Sequence, residues 1–454
     1  MNDDRFDVAI LGAGPGGEHA AYALHAAGRR VALIERELIG GECSNWACIP
    51  TKTLLRPAAL RGETERAAGV RAAATEWPEL DRYRDYMTSA GDDSARVARY
   101  DEMGVTVVKG EGRLAGPGAI DVAGRRIEAD QILVSTGSAP VIPPIEGLFA
   151  SGFWTNREAT ALHELPRSAV VLGGGPVGVE LAQFMRRFGL EVTIVQGASR
   201  LADREDAHVS ELLAEALRRD GIAVRTGVRA QRVSVAGGEK VVSLDDGGEV
   251  RGEAVVVAVG RRPRGRDIGL EPVGVEPTAA GAVPVDKRCR VTDRIWACGD
   301  CTGQALFTHV AKYQARIAVA DMAGHGRPAD YRAIPRVIFT DPEVAAVGLT
   351  EEQAREFGPP TLDIAVAHLD LPSGGVVRSY TYERDPRGEM ALIADRASGT
   401  LVGAWAVAPQ AGEWIHEAVL AIRARVPLDV LLDTVPQFPS FSEGYLLALQ
   451  QLAG

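Results

Sequence analysis

The stretch Asp7-Val-Ala-Ile-Leu-Gly-Ala-Gly-Pro-Gly-Gly17 reads as a short buried strand running into a glycine turn, and the Ala- and Leu-rich residues through Ala27 continue as a helix. Gly12 permits the tight turn and Gly14 lets the backbone approach a pyrophosphate. Gly17 lets helix and strand pack closely, with the helix dipole facing the phosphates. A second strand, Val31-Ala-Leu-Ile-Glu35, ends in a carboxylate 23 residues after Gly12. Glu35 is thereby placed to accept hydrogen bonds from the ribose hydroxyls of an adenosine. The pattern is that of a dinucleotide-binding βαβ unit of the Rossmann type.

It occurs twice. Ala169-Val-Val-Leu-Gly-Gly-Gly-Pro-Val-Gly178 carries Gly173, Gly175 and Gly178 at the same offsets, followed by the strand Glu191-Val-Thr-Ile-Val-Gln196. A lone fingerprint arises readily by chance in glycine-rich chains, whereas two copies, each with an acceptor 23 residues on, are specific. In the second copy the acceptor is Gln196, which removes the negative charge that would repel a 2′-phosphate, and Arg200 and Arg204 follow closely. This favours NADPH over NADH, the alternative being that the two arginines are simply solvated surface charges.

At 454 residues the chain has room for about three domains, and 46% hydrophobic with 24% charged residues is the balance of an ordinary globular protein. A net charge of −11 argues against nucleic acid or an anionic membrane as main partner. No apolar run approaches the roughly 18 residues of a membrane span, and the N-terminal residues lack a basic segment followed by an apolar core, so a cytoplasmic location is expected. Five cysteines in such a length do not make a disulfide scaffold.

Two of those cysteines lie in Gly40-Gly-Glu-Cys-Ser-Asn-Trp-Ala-Cys-Ile-Pro-Thr-Lys52, directly after the first βαβ unit. In an ideal helix Cα atoms at i and i+5 stand about 8 Å apart, too far for a disulfide, so Cys43 and Cys48 are expected to span an irregular turn entering a helix. A helix N-terminus there, with Lys52 close by, would favour thiolate over thiol and so make a working redox pair.

These motifs, together with Val134-Ser-Thr-Gly-Ser-Ala-Pro140, Val259-Gly-Arg-Arg-Pro263, Ile295-Trp-Ala-Cys-Gly-Asp300 and Phe339-Thr-Asp-Pro-Glu-Val-Ala-Ala-Val-Gly-Leu349, resemble the flavoprotein disulfide reductases. That family of pyridine nucleotide–disulfide oxidoreductases includes dihydrolipoamide dehydrogenase, glutathione reductase and mercuric reductase. The resemblance spans nearly the whole chain and implies an α/β fold of two Rossmann-like domains, for FAD and NAD(P), plus a C-terminal α+β dimerisation domain. It divides the chain into 1–150 with 270–332 for FAD, 151–269 for NAD(P)H, and 333–454 for pairing two subunits into a homodimer. It further implies an FAD-dependent NAD(P)H oxidoreductase. Electrons would pass from nicotinamide through flavin to Cys43–Cys48 and on to a disulfide, quinone, metal ion or other electrophile, with no resident metal. Cys43 would face the acceptor and Cys48 the flavin. Lys52 would sit near the flavin, paired with Glu180. Asp300 would accept a hydrogen bond from the ribityl chain, and Thr136 and Gly137 would complete the cofactor-binding segment.

The family's acid–base pair, His-Pro followed by Glu at the fifth residue after His, is broken. Here Pro436-Gln-Phe-Pro-Ser-Phe-Ser-Glu443 puts Phe438 at the histidine's position while Glu443 keeps the other. A phenyl ring moves no proton, so general thiol–disulfide turnover is expected to be handicapped, and dihydrolipoamide dehydrogenase activity with it. No histidine lies beyond His416. Tyr445 is a candidate donor but is read as packing beside Leu446 and Leu447. Mercuric reductase also lacks this histidine, yet the chain ends at Gly454 without that enzyme's C-terminal cysteine pair and begins without its metal-binding extension, so mercury delivery is not expected. The ketopropyl-coenzyme M carboxylase branch carries Phe here too but replaces the glutamate. A redox-sensing flavoprotein whose cysteines signal rather than turn over is the reading from another class. Cys298 and Cys301 form a Cys-x-x-Cys without a second pair at zinc spacing and are expected to pack, and Cys289 is read as a strand residue.

Overall fold

The computed structural model describes residues 5–72, 74–356 and 362–453. Two compact units emerge, each assembled from three separate pieces of chain. The first comprises the residues up to Thr51 with Asp81–Val141 and Gly260–Asp330, and the second Lys52–Leu80, Ile142–Val259 and the residues from Tyr331 onward.

The first unit is built on a sheet whose strands run in the order Arg290–Thr292, Ile295–Ala297, Arg125–Val134, Arg5–Leu11, Val31–Glu35, Thr106–Lys109. From Ile295–Ala297 to Thr106–Lys109 every pairing is parallel, with Val8 opposite Val31 and Ile10 opposite Leu33. Strands buried on both faces need apolar residues throughout, which is why Val31–Glu35 shows no polar alternation. Successive side chains point to opposite faces. Val8, Ile10 and Leu33 pack with Ala20, Leu24 and Ile317 on one side, while Ala9, Leu11 and Ile34 meet Ile120, Ile127 and Val283 on the other. Helices Pro15–Ala26 and Thr308–Met322 pack against each other in the first of these layers.

The second unit contains the repeat. Ala223–Thr226, Glu191–Gln196, Ser168–Leu172 and Ala254–Val257 form a parallel sheet, and a three-stranded antiparallel meander spans Ala230–Gly252. Beyond it stands a five-stranded antiparallel sheet in the order Pro335–Ile338, Glu343–Gly348, Thr400–Ala408, Glu389–Asp395, Ile364–Asp370. One face of that sheet lies under helices His416–Ala424 and Glu443–Ala453 through Leu392, Ala406, Ile422, Ala448 and Leu449. The other face adds Ala346, Trp405 and Val407 to a core that also holds Leu54, Leu55, Val171, Phe184 and Ile194.

Beneath the second unit's core runs a buried ionic network. The Arg187 guanidinium, 9% exposed, donates from Nε to Asp220 at 2.9 Å and from Nη1 to Asp341 at 2.7 Å, and Arg66 Nη2 reaches Asp341 at 2.7 Å. The Gln183 amide joins the same two residues, donating to the Asp220 carboxylate and accepting from the Asp341 backbone N–H. Removing one partner of such a pair leaves an uncompensated buried charge. Arg187→Met is therefore expected to lower unfolding free energy by about 3 kcal/mol, near the low end for broken buried pairs because Arg66 still holds Asp341. Urea denaturation of the two proteins checks this. Among the described residues, no helix is long and apolar enough to cross a membrane.

Candidate active site

The two glycine turns are near copies in three dimensions. Gly12 has φ +106°, and a Cβ there would stand 2.3 Å from the Ser135 carbonyl oxygen; Gly173 has φ +111° and the same 2.3 Å approach to Ala258. A Cβ on Gly17 would meet the Gly12 oxygen at 2.0 Å, and one on Gly178 the Gly173 oxygen at 2.0 Å. At Gly14 and Gly175, by contrast, an added Cβ would find nothing within 4 Å. Each of these is the N-cap of a twelve-residue helix, and neither helix has a side-chain cap, so their first N–H groups face open space. Such a cradle takes a phosphate anion.

The residue 23 positions on braces its own glycine turn. Glu35 Oε2 accepts the Ala13 N–H at 2.8 Å, and Gln196 Oε1 accepts the Gly174 N–H at 3.0 Å. In both copies a side-chain oxygen at the strand end braces the turn. Arg200 Nη2 donates to the carbonyls of Asp203 and Glu205, tying down the loop after the second brace. The residues present in both copies therefore fit the pyrophosphate of a dinucleotide. Gly14→Ala is expected to keep its thermal midpoint yet take up FAD poorly. Gly17→Ala, forced against the Gly12 oxygen, is expected to lose about 1–3 kcal/mol of stability. Calorimetry and flavin fluorescence separate the two outcomes.

Cys43 lies in the short helix Gly41–Asn45, entered through Gly40 and Gly41 at φ +94° and +55°. The Asn45 amide donates to the carbonyls of Ile39 and Gly41 and closes this turn. The chain then breaks at Trp46, and Cys48 opens the helix Cys48–Arg66, so the pair does span an irregular turn entering a helix. Cys43 and Cys48 form no disulfide, are half-buried, and are hydrogen-bonded to each other. Cys48 Sγ also lies 3.4 Å from Thr308 Oγ1, at the first residue of helix Thr308–Met322.

For Cys43 the expectation of a favoured thiolate is corrected. Its hydrogen bond to Cys48, then burial, then the charge on Cys48 push its thiol well above the usual range, against the weaker pull of Thr308 and Lys312. Two sulfurs in contact share a proton readily but resist losing the second, because that sets two negative charges side by side.

Thr136 and Gly137 lie where the chain leaves the first unit's sheet. Thr136 Oγ1 donates to the Arg264 carbonyl at 2.6 Å, and the Gly137 carbonyl accepts the Arg264 N–H at 2.9 Å. The turn-rich segments around 138–152 and 261–269 contain a two-stranded ribbon, Ser138–Pro140 against Arg261–Pro263. Asp300 is half-buried and accepts from Ser138 Oγ at 2.6 Å; desolvation pushes its carboxyl above the ordinary range, opposed by Ser138 and by the Arg261 charge.

Cys298 and Cys301 are wholly buried, and Cys301 donates to the Cys298 carbonyl. Burial pushes Cys301 up to about 11, so these thiols pack rather than react, as expected. Cys289 is a correction: it sits at φ +62° in the turn before Arg290–Thr292, not within a strand.

In the second unit Lys52 Nζ lies 2.7 Å from Glu180 Oε2 and 4.6 Å above the Phe339 ring, while Glu180 Oε1 accepts the Phe339 N–H at 2.9 Å. Glu180, 4% exposed, is thus more than a carboxylate complementing its helix dipole. Phe438 is 69% exposed. Glu443 begins the last helix, and its Oε2 is buried without a hydrogen-bond partner among the described residues. Tyr445 is core: its hydroxyl donates to the Trp414 carbonyl, and burial pushes its phenol far up.

Thr308, Ser138 and Arg261 in the first unit, and Phe339 in the second, make these contacts without having been singled out in the sequence. Ser138, Arg261 and Phe339 lie inside quoted motifs, but their side-chain or backbone contacts depend on partners over 100 residues away.

Comparison with known proteins agrees with this arrangement. Residues 6–320 match the family model described as pyridine nucleotide-disulphide oxidoreductase, and residues 334–449 match that of its dimerisation domain. The chain is 36% identical over 460 residues to a mercuric reductase of Acidithiobacillus ferrooxidans, covering 98% of this chain and 82% of that protein. It is 37% identical over 465 residues to a mercuric reductase of Streptomyces lividans (98% and 96%), and 35% identical over 457 residues to a dihydrolipoyl dehydrogenase of Chlorobaculum tepidum (97% and 95%). Similar solved structures include the Cu(II) complex of the HOCl-induced flavoprotein disulfide reductase RclA from Escherichia coli, at 30% identity and a TM-score of 0.86 over 98% of this chain and 99% of that one. LpdA from Mycobacterium tuberculosis matches at 28% identity and a TM-score of 0.87, over 99% of both chains.

Proposed function

The chain belongs to the pyridine nucleotide-disulphide oxidoreductases, enzymes that use FAD and NAD(P)H, and from that premise we propose that its Cys43–Cys48 dithiol delivers electrons to an acceptor that takes no proton from the protein, foremost a soft metal cation. Bound FAD supplies two-electron exchange between a nicotinamide and a dithiol. Everything else is the work of the chain's own side chains. Gly12, Gly14, Gly17, Glu35, Thr136, Gly137 and Asp300 would hold FAD, and Gly173, Gly175, Gly178, Gln196 and Arg200 the nicotinamide dinucleotide. Lys52, fixed by Glu180, would set positive charge beside the reacting ring. Gln196, a brace without charge, supports NADPH.

One observation carries the choice of acceptor: Phe438 stands where the proton-moving histidine belongs. When a dithiol closes to a disulfide it gives up two electrons and two protons. An acceptor disulfide must take both protons onto its leaving sulfurs, whereas a metal cation takes electrons alone and the protons go to water. Cys43 and Cys48, half-buried side by side, offer two sulfur ligands to such a cation. The names of the mercuric reductases and of the RclA copper complex support the same class. The match of 334–449 to the dimerisation domain supports a homodimer, to which Glu443 would contribute across the interface.

The test offers the purified flavoprotein a soft metal cation, a quinone and a small disulfide, each under NADPH and NADH. Sustained NADPH oxidation with the cation, and slow oxidation with the disulfide, is expected. Fast disulfide turnover would overturn the reading in favour of dihydrolipoamide-type chemistry, and no turnover with any acceptor would leave a redox sensor.

A further inference from the structure

We infer that Arg261 is a positioning residue that fastens the turn bearing Cys43 to the carboxylate of Asp300, so that one guanidinium governs both flavin retention and dithiol reactivity. The inference rests on the assignments of Asp300 and Cys43 proposed above.

The geometry starts from the ribbon pairing Arg261 with Pro140 and Pro263 with Ser138. It brings the Arg261 side chain back onto Ser138, where Nε donates to Oγ at 2.8 Å and Nη2 to the carbonyl oxygen at 3.0 Å. A guanidinium only donates, while a hydroxyl has one proton and two lone pairs. With Nε–H occupying a lone pair, the Ser138 proton is directed to Asp300 Oδ2 at 2.6 Å. The chain of donors Arg261 to Ser138 to Asp300 therefore has a single direction. It holds Asp300 as an acceptor and leaves its second oxygen for a ligand hydroxyl.

The same guanidinium reaches the other way. Arg261 Nη2 lies 3.5 Å from Glu42 Oε2, with the two side chains 20% and 19% exposed, and Glu42 is the residue directly before Cys43. One positive charge thus stands between two carboxylates, one serving the cofactor cradle and one adjoining the reactive thiol. Burial and the Glu42 charge raise the Asp300 carboxyl while Ser138 and Arg261 lower it. Without Arg261, Asp300 would lose its fixed donor and be easier to protonate, and the turn bearing Cys43 would lose the positive charge that lies 3.5 Å from Glu42.

The test compares Arg261→Gln, Arg261→Lys and Glu42→Gln in the full chain. FAD affinity is measured by reconstituting the apoprotein, and Cys43 reactivity by the pH profile of its alkylation in the apoprotein. Arg261→Gln is expected to weaken FAD binding by about tenfold to a hundredfold, the loss of hydrogen bonding supported by a charge. It should also move Cys43 alkylation to higher pH. Glu42→Gln should move the alkylation to lower pH with FAD affinity changed by less than about threefold, a pair of opposite shifts that general loosening does not produce. Arg261→Lys keeps the charge but not the fork, so it should weaken FAD while leaving the alkylation profile near wild type. This second variant decides the matter if Arg261→Gln fails to fold. FAD affinity within twofold of wild type in a folded Arg261 variant, or shifts of the same sign from Arg261→Gln and Glu42→Gln, would overturn the inference. Wild-type apoprotein that takes up no FAD would instead sink the cofactor assignment, and the alkylation profiles would then decide the Arg261–Glu42 link alone.

Discussion

Cys43→Ser is expected to cut reduction of any thiol-dependent acceptor by about a thousandfold or more, since a hydroxyl at that position neither attacks an electrophile nor closes a disulfide with Cys48. The flavin should remain bound, because none of the cradle residues is touched. Cys43 is half-buried and its neighbours are the Cys48 thiol and Thr308, which a serine hydroxyl can also satisfy, so the fold should tolerate the change. Steady-state NADPH oxidation with a soft metal cation, set against the same assay with a quinone, measures the effect. Loss of the first with survival of the second would show that quinones bypass the sulfurs. Undiminished metal reduction would sink the assignment of Cys43.

Phe438→His should act in the opposite direction. Turnover with a small disulfide is expected to rise by about 10²-fold, the lower end of what a positioned acid–base group contributes. The substitution is mild structurally, as Phe438 is largely exposed. The partner expected for the new imidazole is Glu443, whose buried Oε2 has no hydrogen-bond partner among the described residues. A carboxylate holding one ring nitrogen orients the other and stabilises the protonated ring. The gain should therefore disappear in the double variant Phe438→His/Glu443→Gln, and it should appear as a new limb in the pH–rate profile with the disulfide. A rate unchanged by the histidine in a folded dimer would mean that proton transfer does not limit this enzyme, and Phe438 would no longer point to a proton-indifferent acceptor.

What the sequence made legible was whatever depends on short spacing. The twin glycine turns and the irregular step between Cys43 and Cys48 follow from local chain geometry, and each stands in the structure as expected, whereas the bracing of each turn by the side-chain oxygen 23 residues on came only with the structure. The pairing of Lys52 with Glu180, 128 residues apart, was reached only through resemblance. Contacts that depend on tertiary placement stayed hidden. Thr308 lies 260 residues from the Cys48 it touches, and nothing in Phe307-Thr-His beyond a plausible helix start marks it. Arg261 sits within a recognised motif that assigns it no role, because its partners Ser138 and Glu42 meet it only once the ribbon forms. Cys43 departs from expectation for a related reason: the helix terminus and lysine are visible in one dimension, whereas the sulfur against it is not. Cys289 has β-favouring neighbours, but the turn closed by Asp286 sets its backbone instead.

The paired braces bear on how such a chain can diverge. What each glycine turn needs from the end of its second strand is an oxygen of the right reach, and Glu35 and Gln196 supply it equally well. Foldability thus restrains the shape of that side chain and is indifferent to its charge. Coenzyme preference can consequently drift between phosphorylated and unphosphorylated nucleotides by an exchange of one atom, without passing through an unstable ancestor.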